Sequence, residues 1–320
     1  MTSRLIAAIG VVLFITGCSL RQVDSAKSEI SANAPSGIMI ASSQLPADPV
    51  HLKTGGLYYL SGDRRCKETG IIIEAEHVTL DLGGHQLIGP GMKSGQNYGI
   101  LTNNYKNLEV RNGTITGFGD RAIVDRGIQQ ETGQKRILNV RIVSNGACGI
   151  CIGGSGNVIR NCNCSNNAAN GICPGVDCIV ADNICSGNSH NGILAGSGCV
   201  ITGNTLSHNG QSGISAYAGC MVAQNTASGN NQSSNTEHAG IKLFDGNSAQ
   251  NNVMRDNRVN NIFVKGSGNV IEDNVITASA SDKAGNGIFL VSEKNNCQDN
   301  YFMGNKTDTA GAGPANPKSN

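Results

Sequence analysis

The sequence predicts an all-β solenoid of short parallel strands, and three observations carry that prediction. Gly-Ile pairs recur at Gly149-Ile150, Gly171-Ile172, Gly192-Ile193 and Gly213-Ile214, at intervals of 22, 21 and 21 residues. Self-similarity at a period of roughly 20 to 50 residues marks an architecture in which each unit buries its apolar face only against its neighbours. Other columns hold the same register: Asn157, Cys178, Cys199 and Cys220; Cys162, Asn183, Asn204 and Asn225; Ser165, Ser186, Ser207 and Ser228; Asn167, Asn188, Asn209 and Asn230. The apolar runs between them are two or three residues long and rich in Val and Ile. Such runs suit short strands and are too short for helical repeats, which need about 10 or more residues per helix.

At the start of the chain, Arg4 precedes an apolar run from Leu5 to Ile15 and then small residues, the pattern of an export signal over 1–17. The run is too short to span a bilayer as a helix, which takes ~20 apolar residues. Leu13-Phe14-Ile15-Thr16-Gly17-Cys18 resembles the bacterial lipobox. That resemblance implies that Cys18 receives lipid, becomes the first mature residue and anchors the chain to a membrane. Ser19, where inner-membrane retention would favour Asp, implies the outer membrane if the cell is Gram-negative. The small polar residues that follow suit a flexible tether, so 18–40 is assigned to the lipidated N-terminus and its linker. The solenoid is expected over 41–305, and 306–320 is expected as a disordered polar tail.

Within the solenoid, strands end at Asn or Gly, the residues that tolerate left-handed backbone angles. Further marks at Gly99-Ile100, Ala122-Ile123, Gly240-Ile241, Asn261-Ile262 and Gly287-Ile288 bring the total to about nine coils. Equivalent residues of stacked coils lie about 4.8 Å apart, so an Asn in every coil can bond its amide to the next. With Val78 to Leu87 and Arg111 to Phe118 completing the pattern, residues 50 to 305 resemble the right-handed parallel β-helix proteins of the pectin-lyase-like superfamily. The resemblance implies that fold and, through members that include polysaccharide lyases, glycoside hydrolases, epimerases, phage tailspikes and adhesins, a polysaccharide partner. It leaves the activity open.

Composition narrows the field further. Net charge is +1, and no basic run exceeds Arg64-Arg65, which argues against a nucleic-acid partner. Trp is absent and only 4% of residues are aromatic, so any stacking surface must be small. Of 12 cysteines, all but Cys18 fall in or near the repeats. A disulfide wants Cβ atoms 3.5–4.5 Å apart, less than the spacing of stacked strands. Most of these cysteines are therefore expected as small buried hydrophobes, with a disulfide open wherever a turn brings two together. Cys148-x-x-Cys151 with Cys162-x-Cys164 and Cys173 has zinc-ligand character, but the column register accounts for most of these residues and no metal site is assigned. No cofactor is indicated by a motif; calcium is the ion that stacked acids would take.

The period breaks twice. From Ile214 to Ile241 it is 27, from Ile241 to Ile262 it is 21, and from Ile262 to Ile288 it is 26. Insertions at Gly229 to Ala239 and Thr277 to Asn286 are expected to leave the rod at one corner as two walls ~9.6 Å apart. Candidate substrate-binding residues are Glu237 on one wall, Asp282 and Lys283 on the other, Asn260 and Asn261 on the floor, and Phe244, which with Tyr217 would offer a stacking surface. Candidate catalytic residues are His238, Lys242, Asp245 and Tyr217, because a uronate lyase or epimerase needs a base and a group that neutralises a carboxylate. Asp256 and Asp273, with Asp299, precede repeat asparagines, and stacked carboxylates near 5 Å would match a retaining glycosidase pair. Stacked acids also suit calcium, but the favoured reading is a solvated column relieved by Arg255 and Arg258, which needs no function. The Asp-Pro-His-Asp run associated with mannuronan epimerases is missing. The reading is an envelope lipoprotein that binds a polysaccharide and, if an enzyme, acts as a lyase, epimerase or hydrolase; the alternative is a non-catalytic scaffold or adhesin.

Overall fold

In the computed structural model the described residues are 37–127, 133–278 and 285–312. Cys18, Asp282 and Lys283 lie outside them. Every coil places one strand in a twelve-stranded parallel sheet that runs from Val50–Leu52 to Thr307–Gly311. Along it, Ile71, Ile100, Ile123, Ile150, Ile172, Ile193, Ile214, Ile241, Ile262 and Ile288 pair in unbroken register. All are buried, and each fully buried isoleucine contributes roughly 1.5–3 kcal/mol. The preceding glycine has its own cause: a Cβ on Gly171 or Gly192 would sit 2.6–2.7 Å from the carbonyl oxygen of the next coil's glycine. The Gly-Ile mark is thus a close backbone approach followed by a core residue.

The remaining two walls form one 22-stranded sheet, and the strand pairings among the described residues are parallel in both sheets. They are joined where Glu109–Thr116 and Arg136–Val143 run round the corner as eight-residue strands. Asn112 and Asn139 turn the chain there at φ 58° and 55°. The described residues contain no helix.

Polar ladders hold the corners. The backbone N–H of Asn183 donates to Asn204 Oδ1, Asn204 to Asn225, Asn225 to Asn252, Asn252 to Asn274 and Asn274 to Asn300, all at 2.9–3.1 Å. A second series runs Asn145, Asn167, Asn188, Asn209, Asn230 and Asn257. The side-chain amides also donate back to buried carbonyls, as Asn204 Nδ2 does to Val180. A third series explains one cysteine column: Cys178 N–H donates to Cys199 Sγ at 3.4 Å, and Cys220 N–H to Asn247 Oδ1 at 2.8 Å. Sulfur there takes the place of an amide oxygen, so Cys178, Cys199 and Cys220 are ladder members rather than only apolar filling. Cys164 and Cys185, stacked in the core, fit the apolar reading.

Twelve coils exceed the nine marks in the sequence because the first and last coils carry none, and Gly70-Ile71 supplies another. Strand Thr307–Gly311 pairs with Asn286–Leu290, so the solenoid continues into the segment assigned to a polar tail. The register of the preceding coil supports it although its own side chains are polar.

Replacing Asn204 with Ala would strip the acceptor from the Asn183 N–H and amide, at roughly 1–3 kcal/mol per unsatisfied group. Ile179→Ala, on a side chain 40% exposed, removes little buried surface. Urea unfolding followed by circular dichroism should show a clearly lower midpoint for the first variant and a nearly unchanged one for the second.

Candidate functional site

Side chains alternate across a strand, so the residue after each core isoleucine faces away from the core. In the C-terminal half this outer column reads Leu194, Ser215, Lys242, Phe263 and Phe289. Two strand positions further on, Tyr217 and Phe244 stack with ring centroids 4.7 Å apart and planes 5° from parallel. Phe263 and Phe289 stack likewise at 5.7 Å. Between the two pairs, Lys242 Nζ lies 5.4 Å from the Phe244 centroid and 5.6 Å from that of Phe263, within cation–π range of both.

The first insertion closes over this column. Asn231, fully buried, donates its amide to the carbonyls of Asn235 and Arg258 at 2.7 and 3.0 Å. Arg258 in turn donates to Gln232 O and Ser234 Oγ. Held in this way, Glu237 Oε2 meets Lys242 Nζ at 3.5 Å and Lys265 Nζ at 3.0 Å. His238 Nδ1 lies 3.4 Å from Ser212 Oγ.

Burial holds the Lys242 ammonium below its ordinary pKa, with Glu237 partly opposing the shift. His238 is also lowered, first by burial and then by the Lys242 charge. The Lys265 ammonium lowers the Glu237 carboxyl. At neutral pH the cluster therefore presents a neutral imidazole, a buried cation and a flat aromatic face, with Tyr217 46% exposed.

The structure thus brings together Tyr217, Glu237, His238, Lys242 and Phe244, and corrects other candidates. Asn260 and Asn261 are not an open floor. Both are buried, Asn260 accepting from Asn286 Nδ2 and Asn261 from Asn257 Nδ2 at 2.9 Å, because the ladder claims them. Asp245 accepts the Ser267 N–H at 2.8 Å and closes a turn of the next coil. Asp256 does not stack on Asp273. Register puts Asp273 in line with Asp299 on one turn and Asp256 on another, after Arg255, with which it pairs at 3.2 Å. All three have φ of 52–54°, the left-handed position that small or polar residues such as Asn161, Asp182, Gly203 and Gln224 fill in other coils. Phe263, Phe289 and Lys265 were missed. Reading the position after each core isoleucine would have found the two phenylalanines.

A family model described as "Right handed beta helix region" matches residues 126–266 and 175–316. Among solved structures, the chain is similar to the A-module of the Azotobacter vinelandii mannuronan C-5 epimerase AlgE4, with 16% identity, TM-score 0.61, and coverage of 83% of this chain and 91% of that one. The AlgE6 A-module from the same organism gives 14%, 0.58, 83% and 92%. The periplasmic alginate epimerase AlgG gives 13%, 0.53, 86% and 79%. At these identities the likeness shows the fold alone. No curated protein matches the sequence.

Because His238 binds a proton less readily folded than unfolded, the unfolded chain holds more protons as pH falls past about 6.5, and stability should fall with it. Thermal melts from pH 7.5 to 5 should show a steeper loss in the parent protein than in His238→Gln; identical slopes would remove His238 from the pH response.

Proposed function

Since the chain belongs to the right-handed β-helix family, we propose that it is an exported lipoprotein, anchored through Cys18 in the bacterial envelope, whose solenoid binds a polysaccharide across the Tyr217–Phe244 face. In a Gram-negative cell the outer membrane is the favoured site. The observation that carries the reading is the stacked pair with Lys242 beside it. An exposed aromatic face suits the C–H face of a sugar ring, and a cation with a carboxylate alongside suits the polar edge. The solved structures named for mannuronan and alginate epimerases support the choice of a polysaccharide as partner.

A second reading, catalysis, is favoured by one feature: the His238 imidazole, kept neutral, sits beside the Lys242 cation. In a lyase or epimerase, His238 would take the proton next to a sugar carboxylate while Lys242 and Lys265 offset the charge that develops. Tyr217 would then orient the ring. Without that step the protein is a binding or scaffolding module.

Calorimetry against a panel of uronate and neutral polysaccharides should detect binding to at least one. Tyr217→Ala and Phe244→Ala should each weaken it about tenfold, or ~1.4 kcal/mol, with Tyr217→Ala leaving the melting point unchanged. Failure to bind any member of the panel would overturn the reading. Ultraviolet absorbance of unsaturated products, new reducing ends and altered sugar stereochemistry by NMR report catalysis; product formation that survives His238→Ala removes that residue from the chemistry.

Membrane attachment has a separate check. Cys18→Ala should move the protein from the membrane pellet to the soluble fraction of cell lysates, and continued sedimentation with membranes would contradict lipidation.

A further inference from the structure

A cavity of about 250 Å³ opens on the N-terminal coils, on the outward side of the twelve-stranded sheet. Its apolar lining includes the half-buried Ile72, Leu101 and Tyr105, and its polar lining is Glu74, Thr102, Asn103 and Arg126. Drug-sized ligands fill pockets of roughly 300–1,000 Å³, so this one suits a molecule the size of a single sugar ring. Strand pairing sets the polar groups in order. Ile71, Ile100 and Ile123 are in register, so Glu74, Asn103 and Arg126, each three residues further on, take equivalent places on successive coils. Glu74 and Arg126 thus stand two strand spacings apart, ~9.6 Å at the backbone, with Asn103 between them.

The two ends of the cavity carry opposite charge. Arg126 Nη2 donates to the hydroxyl of the buried Tyr98 at 2.6 Å, and Arg126 Cζ lies 4.8 Å from that ring's centroid, so the guanidinium is held in place. Among the described residues Arg126 has no carboxylate partner: Glu74 pairs with His51 at 3.1 Å, and Asp125, next to Arg126 in the chain, is buried against Lys135 at 2.7 Å. A guanidinium presents a flat fork of donors that matches a carboxylate. Thr102 points the same way. It is 3% exposed and lines the cavity, and its hydroxyl has no hydrogen-bond partner. Buried hydroxyls in folded proteins are nearly always paired, so an unpaired one beside a cavity points to a ligand atom as its partner.

We propose that this cavity binds one acidic sugar, with its carboxylate on Arg126, its hydroxyls on Thr102, Asn103 and Glu74, and its apolar ring face on Ile72 and Leu101. The carboxylate and the far hydroxyls of a pyranose acid lie on opposite sides of the ring, which suits a cation and an acceptor at opposite ends of a cavity. An α-amino acid carries both its charges on one carbon and does not span that distance. The site is separate from the aromatic face. Arg126 and Tyr217 each follow a core isoleucine by three residues, but four strand spacings, ~19 Å, part them along the sheet. At the same offset the coils between them carry Gly153, Gly175 and Gly196, positions without a side chain. Binding in the cavity therefore does not depend on the polysaccharide reading.

The test uses the full chain carrying Cys18→Ala, with D-glucuronate and D-galacturonate as probes and D-glucose as the uncharged control, followed by calorimetry and thermal melts. At least one of the acids should bind at one site per chain and raise the melting temperature, and glucose should bind about tenfold more weakly or worse. Arg126→Gln should weaken the acid about tenfold or more and remove most of its advantage over glucose. Thr102→Val puts a methyl in place of the unpaired hydroxyl, so it should melt no lower than the parent protein and still bind the acid more weakly. Binding of neither acid, equal binding of glucose, or an affinity unchanged by Arg126→Gln would overturn the proposal. An affinity kept in Arg126→Gln but lost in Tyr217→Ala would overturn it too, by placing the sugar on the aromatic face.

Discussion

Stacking at one strand spacing imposes a demand that the rest of this molecule answers. Each corner of a coil buries backbone N–H and carbonyl groups between the coils above and below it, and an unpaired buried group costs about 1–3 kcal/mol. Asparagine meets the demand because one short side chain offers an acceptor to the preceding coil and donors to the coils on both sides. Asn204 does so by accepting from Asn183 while donating to Val180 O and to Asn225 Oδ1. The residue just before the ladder position must then take a left-handed backbone angle, which is why Asp182, Gly203, Gln224 and Asn251 stand there in turn. The isoleucine stack fills the interior that these corners enclose.

Once the core and corners are committed, chemistry is left to the outward column and to insertions. Lys242 and Phe263 lie on that column, yet they are only 7% and 4% exposed, because neighbouring aromatic rings and the loop held by Asn231 cover them. This partial cover gives Lys242 and His238 environments different from those of surface lysines and histidines. The same column carries Cys151 and Cys173 further toward the N-terminus. The candidate site residues are therefore gathered on one face of the rod, while the ladders elsewhere hold their polar groups in structure.

The fold was legible because its cause repeats. A glycine with no room for a Cβ, followed by a core isoleucine, recurs at the coil interval, and so does the ladder asparagine. The site was less legible because its residues do not repeat. Asn260 and Asn261 looked like exposed floor, but the shorter coil shifts the ladder so that Asn257 bonds to Asn261 four residues on, drawing both inside. Asp256 and Asp273 each precede an asparagine and so looked like one column. Two ladders run round the same coil, and sequence spacing alone does not say which one a given asparagine joins. The Tyr217–Phe244 pair was readable since both lie at the same offset from a core isoleucine.

The two long asparagine ladders run in one direction: each backbone N–H points to the asparagine of the following coil, so along them every coil finishes the one before it. A coil removed or duplicated between equivalent asparagines would present the same donor to the same acceptor. The cross-section is therefore fixed while the length is not, and descendants of this chain can change reach by whole coils. Such a change would shift the aromatic face relative to the N-terminal coils in steps of one strand without altering that face, provided it falls in the uniform coils between Cys173 and Ser215.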